Sequence, residues 1–213
     1  LTDYLTEQEQ VELLKKWIKQ YSLFILAGVL IAAIAISGWR YWQQRQNKTY
    51  QHASSIFDEM VALRAQQDQD TTSTFQQANK LFSHYSQTAY GEFAALMLAR
   101  NQVIKKDYPA AEKQLHWVLD HSHISSLKQI ARLRLARLLI AEQKPQDALT
   151  LLNTTDDKTF NGMIDETKGD AYLSLKNTPM ARQWYQQALT DLPNAEVLRP
   201  LLQMKYDNLV IYQ

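Results

Sequence analysis

The sequence predicts an all-α protein: a single N-terminal transmembrane helix followed by an α-solenoid of helix pairs. Three observations carry this. Residues 21–39 read YSLFILAGVLIAAIAISGW and hold no charged side chain. Small residues recur twelve positions apart in three later segments, each pair separated by a polar turn. Strand-like alternation sustained over several residues is missing throughout.

The domain order follows from these marks: residues 1–20 as an N-terminal tail, 21–39 as the membrane helix and 40–213 as a helical repeat domain. In the tail, Val11, Leu14, Trp17, Ile18 and Tyr21 fall at helical spacing. This fits either an amphipathic helix lying on a membrane or partner, or an extension of the span itself. The span is roughly 28 Å long as a helix, close to the ~30 Å hydrocarbon core of a bilayer. Lys15, Lys16 and Lys19 precede it and Arg40 and Arg45 follow; Trp39, Tyr41 and Trp42 cluster at its end, where interfacial aromatics belong. A cleaved signal peptide fits poorly, because the apolar run is too long and the segment before it carries Asp3, Glu7, Glu9 and Glu12. A buried core helix fits poorly too, because the run is apolar on every face. Gly28, Ala32 and Ala35 share one face and would let a second membrane helix approach closely; ordinary membrane-helix composition accounts for them equally well. Cationic residues tie across the span, so charge does not orient it.

Beyond the span, helix continues over Trp42 to Gln66, with Ile56, Met60 and Leu63 on one face. The polar run Gln67 to Ser73 breaks it. A helix from about Thr74 to Tyr85 follows, with Phe75, Ala78, Leu81 and Phe82 on one face. The repeat then begins. Its small pairs are Ala99 and Ala111, Ala136 and Ala148, and Gly169 and Ala181. Antiparallel helices that cross closely need small residues there, since a larger side chain would force them apart. The turns KKDYP, EQKPQ and LKNTP each place a proline near the start of the second helix, where it is tolerated. Gly169, Tyr172, Ala181, Tyr185, Ala188 and Pro193 resemble the small–aromatic–small–aromatic–small–proline pattern of a tetratricopeptide repeat. Asp165 and Lys168 stand where that pattern usually has tryptophan and leucine. Marker spacings of 37 and 33 residues place an insertion, HSHIS, after Asp120. Leu198 to Ile211 reads as a terminal helix covering the last apolar face.

Chemistry is sparse. Net charge is +1, so no strong field points to nucleic acid or to an anionic substrate. With no cysteine there is no disulfide, thiol nucleophile or Cys-based zinc site. Five glycines, two of them in the span, are too few for a phosphate-cradling loop. His116, His121 and His123 with Asp120 lack a metal site's fixed spacing and read as a polar loop. Asp156 and Asp157 read as turn residues. Trp117, Trp184, Tyr185 and Tyr206 read as packing. No catalytic, cofactor or metal site is expected, and nothing supports an enzyme.

Stacked helix pairs form a groove lined by the first helix of each pair. The repeat register nominates Arg100, Val103, Arg137, Ile140, Asp170 and Leu173 as exposed groove residues able to hold an extended polypeptide. Nearly the whole chain also resembles the YfgM-type ancillary subunit family of the bacterial SecYEG translocon. The resemblance rests on the tail and its lysines, Gly38-Trp39-Arg40-Tyr41-Trp42, Tyr90-Gly91, Leu133-Arg134-Leu135-Ala136-Arg137, the Gly169 to Ala181 unit and Gln203-Met204-Lys205. It implies a single-pass inner-membrane protein, N-terminus cytoplasmic and repeats periplasmic. It further implies association with SecYEG and with a membrane-anchored periplasmic chaperone of the PpiD type, helping secreted polypeptide clients as they emerge. The family's tail is linked to stress signalling through a response regulator. Two other readings of the residues stand beside this: a scaffold for another envelope complex, and a cytoplasm-facing adaptor.

Overall fold

The computed structural model describes residues 7–65, 72–154, 157–192 and 198–209. Asp156, Pro193, Ile211 and most of the polar break at 67–73 lie outside them. Among the described residues the secondary structure is helical, without strands. The chain divides into two compact units, Leu1–His52 and Ala53–Gln213.

The first unit is helix α1, Glu7–Ala65, up to His52. Its apolar side chains face outward: Leu23, Phe24, Ile31 and Ile34 are each about 70% exposed. No single helix among the described residues is long and apolar enough to cross a membrane. Two arms of α1, Lys15–Phe24 and Leu26–Leu63, meet that requirement together across a 48° bend. The span expected over 21–39 is thus matched, by length and composition alone, by a bent pair whose break falls inside the apolar run. Gly28, Ala32 and Ala35 are exposed, and a Cβ added at Gly28 meets nothing within 4 Å.

In the second unit, the end of α1 joins α2 (Thr72–Tyr85) and α3 (Ala89–Ile104) in one apolar cluster. Met60, Ala78, Leu81 and Ala94 are its buried centre, and Gln77 Nε2 donates to Glu59 Oε1 at 3.0 Å. Between α2 and α3 the chain turns so tightly that a Cβ on Gly91 would sit 2.2 Å from the Tyr85 carbonyl oxygen. Only glycine fits at this third position of α3, and Thr88 caps the helix by accepting from the Gly91 amide at 3.2 Å.

Three helix pairs follow: α3 with α4 (Tyr108–His121), α5 (Ser125–Ala141) with α6 (Pro145–Leu152), and α7 (Asn161–Ser174) with α8 (Thr178–Asp191). A 3₁₀ turn, Lys158–Phe160, leads into α7. All six small markers are buried, the alanines at 1% exposure or less. The reason is plainest at Gly169, where an added Cβ would lie 2.4 Å from the Tyr185 ring.

Each pair is joined by the same turn. The helix ends on a residue in left-handed conformation, Lys106 (φ 61°), Gln143 (φ 64°) and Lys176 (φ 58°). Its amide bonds three residues back and the next amide five back, as in Lys106 N to Val103 O (3.0 Å) and Asp107 N to Gln102 O (2.9 Å). This is a Schellman closure. Pro109, Pro145 and Pro179 then open the second helices, where a missing N–H costs nothing.

Successive elements pack as neighbours, and the first helices also touch one another, α3 with α5 and α5 with α7. This is the stacking of an α-solenoid. The HSHIS insertion is a short link whose Ser122 hydroxyl is buried against Glu92 Oε2 at 2.5 Å. Helix α9, Leu198–Asn208, covers the far end: Leu202 and Leu209 bury against Ala181, Tyr185 and Ala188. Of the four aromatics expected as packing, Tyr185 is buried in the core and Trp117 and Tyr206 pack against it partly buried. Trp184 and Tyr206 are half-buried beneath Lys168 and Arg182, and Trp117 lies between Phe82 and the stacked ring of His121.

Candidate functional site

A cleft of about 390 Å³ opens between α3, α4 and α5. Its floor is apolar, with Leu115 and Leu138 buried beneath it. Arg100 and Val103 come to it from α3, Arg134 and Arg137 from α5. The spacing explains the convergence: residues three or four apart share a helix face, so each first helix offers a pair of neighbours at the cleft.

Three of the six groove residues expected from the repeat register, Arg100, Val103 and Arg137, line this cleft. Ile140, Asp170 and Leu173 do not. Ile140 is half-buried and packs against the central core. Leu173 is 41% exposed, farther along on α7. Asp170, expected to be exposed, is half-buried and engaged. It accepts from the Tyr185 hydroxyl at 2.7 Å and from Lys205 Nζ at 2.8 and 2.9 Å. Lys205 also donates to Glu166 Oε1 at 2.8 Å. Burial alone would lower the Lys205 pKa, but its bonds to Asp170 and Glu166 outweigh that and raise it. Asp170 is therefore part of the attachment of α9. The residue that fills its position in the repeat register says nothing of α9, so the sequence could not show this.

Arg134 is the cleft residue the register missed. It donates to the Leu96 carbonyl at 2.9 Å, tying α5 to α3. Burial and the nearby charges of Arg100 and Arg137 all lower its pKa. All three arginines line the same cleft. Arg137 lies 3.8 Å from Glu166, whose nearer partner is Lys205. Among the described residues no ion pair holds Arg100 or Arg134. The cleft therefore keeps a local excess of positive charge over an apolar floor.

Elsewhere, Asp165 on α7 faces Asp191 at the end of α8. Burial and the Asp191 hydrogen bond push its carboxyl up to about 6, against the pull of Lys168 at 4.0 Å. The Thr159 side chain, and then its amide at 2.9 Å, hydrogen-bond to Asp157 and hold its carboxyl below the usual range. His121 ends α4 rather than lying in a loop, and His116 sits 3.6 Å from Glu112. Among the described residues, no group of three or more His, Asp or Glu side chains is gathered to hold a metal.

Fold and cleft together define a helical-repeat protein with a cationic cleft between its first helices. The tetratricopeptide repeat-like domain family matches residues 15–210, and the chain belongs to it. It is 30% identical over 206 residues to an ancillary SecYEG translocon subunit of Neisseria gonorrhoeae, spanning 97% of this chain and 98% of the relative. Similar proteins of that name occur in Escherichia coli (29% identical; 98% of each chain) and Haemophilus influenzae (28%; 96% of this chain and 98% of the relative). The chain is a member of this ancillary SecYEG translocon subunit family. No solved structure matches it.

Proposed function

We propose that this protein is a membrane-anchored, non-enzymatic binding module of the SecYEG translocon, and that its groove receives secreted or envelope polypeptides as they emerge. The cationic, apolar-floored cleft between α3 and α5 carries this reading. Membership of a family whose relatives are named ancillary SecYEG translocon subunits supplies the setting. The uncharged run at 21–39 and its exposed apolar side chains support an inner-membrane anchor. A cytoplasmic N-terminus, periplasmic repeats, a partner chaperone of the PpiD type and a link from the tail to a response regulator complete the reading, supported by the family resemblance. A groove tethered beside an exit channel meets emerging chain at high effective concentration, so modest contacts suffice.

The test is a photocrosslinking side chain at Val103 in cells that hold a stalled secretory chain in the translocon. Crosslinks to the stalled chain are expected, and they should be lost with R100E and R137E together. Copurification with SecYEG without any crosslink from Val103 would leave the translocon association but overturn the groove.

A further inference from the structure

We propose that the cleft between α3 and α5 selects acidic–apolar segments, seating a client's internal Asp or Glu side chain on Arg100 and Arg137 and the adjoining bulky apolar side chain on Leu115 and Leu138. This rests on the reading of the groove as a polypeptide-binding site and adds the chemistry of the bound segment.

The argument is charge complementarity. Three guanidinium groups line one cleft, and the single carboxylate in ion-pair range of any of them, among the described residues, is the shared Glu166. An arginine fork matches a carboxylate with two parallel hydrogen bonds. Arg134 is already committed to the Leu96 carbonyl, so it adds fixed positive potential and leaves the fork contacts to Arg100 and Arg137. A bound carboxylate would relieve the repulsion among the three. The buried leucines beneath them give the neighbouring apolar side chain a surface to cover. A cleft of about 390 Å³ falls at the small end of ligand-site sizes, which suits a few residues of extended chain. A basic or purely apolar segment would leave the charge excess uncompensated.

The experiment titrates the full-length protein in detergent with four labelled peptides of one length. Their central residue is Glu flanked by leucine, Gln in the same frame, Lys in the same frame, or Gln with the only carboxylate at a free C-terminus. The Glu peptide should bind about tenfold more tightly than the Gln peptide, the scale of one charge-assisted contact, and salt should shrink that margin. R100E with R137E should reverse the order of the Glu and Lys peptides, and R137Q alone should reduce the margin. Both side chains are exposed, so helical circular dichroism should be unchanged. Equal binding of Glu and Gln peptides would overturn the acidic preference while sparing the groove. Preference for the terminal carboxylate, or displacement of the Glu peptide by anionic phospholipid added in mixed micelles, would overturn it in favour of those ligands. Binding by none of the four would overturn the groove reading as well.

Discussion

Left-handed backbone at Lys106, Gln143 and Lys176 recurs at one place in all three turns. An L-residue there costs roughly 1–2 kcal/mol relative to right-handed helix, whereas glycine pays no Cβ penalty but loses up to ~1 kcal/mol of chain entropy on folding. The steric term is the larger, and Gln143 is exposed. Gln143→Gly should therefore raise stability by about 0.5–1 kcal/mol, read as a higher urea midpoint with an unchanged slope. Gly169 is the opposite case. Its would-be Cβ meets the Tyr185 ring at 2.4 Å, and that ring is fixed by its hydroxyl's bond to Asp170. Gly169→Ala must push α7 and α8 apart and should cost about 1–3 kcal/mol. A thermal midpoint equal to that of the parent would show that the ring is free to move. The small markers were legible in the sequence because their spacing reports helix crossing directly. The left-handed residues were not, because Lys and Gln carry no signature of positive φ.

At the scale of elements, the α7–α8 pair carries a pH dependence that periodicity does not encode. Asp165 and Asp191 lie far apart in sequence, and only the pairing of their helices brings the two carboxyls into contact. The Asp165 carboxyl is raised from 3.8 to about 6 on folding. A raised acid favours the folded state fully below its unfolded value, and that contribution is lost as pH climbs from 3.8 to about 6. Above this window the ionised Asp165 is a burden on the order of 1–2 kcal/mol once the shift, which already contains the pull of Lys168, is discounted for solvent screening. Asp165→Asn keeps a hydrogen-bonding side chain without the charge. It should stabilise the protein at pH 7–8 by this amount and show no gain near pH 4. Urea unfolding of both proteins across that range provides the check, and a gain that is constant with pH would remove the ionisation argument. Helices and turns were readable from local pattern. Arg134 in the cleft and Lys205 on Asp170 depend on long-range placement, 38 and 35 residues apart, and so needed coordinates.

For the repeat unit as a whole, each element packs chiefly on its neighbours, so stability is close to a sum of nearest-neighbour terms. An end without a cap then loosens locally. Helix α9 is that cap. Leu202 and Leu209 cover Tyr185 and Ala188, Arg199 donates to the Leu189 and Leu192 carbonyls at the end of α8, and Lys205 spans Glu166 and Asp170. Removing 198–213 would expose an aromatic core face and leave two neighbouring carboxylates without their shared cation, each a named source of large destabilisation. Amide hydrogen exchange should show α7 and α8 losing protection by at least tenfold, about 1.4 kcal/mol. Helices α3 and α4, which do not contact α7 or α8, should change little, and α5 should change only where it meets α7. The cleft lies between α3, α4 and α5, so peptide binding there should survive the truncation. Loss of protection spread evenly from α3 to α8 would instead mean that the pairs unfold as one block. The groove would then depend on its distant cap, and binding at Arg100 and Arg137 should weaken in step with stability.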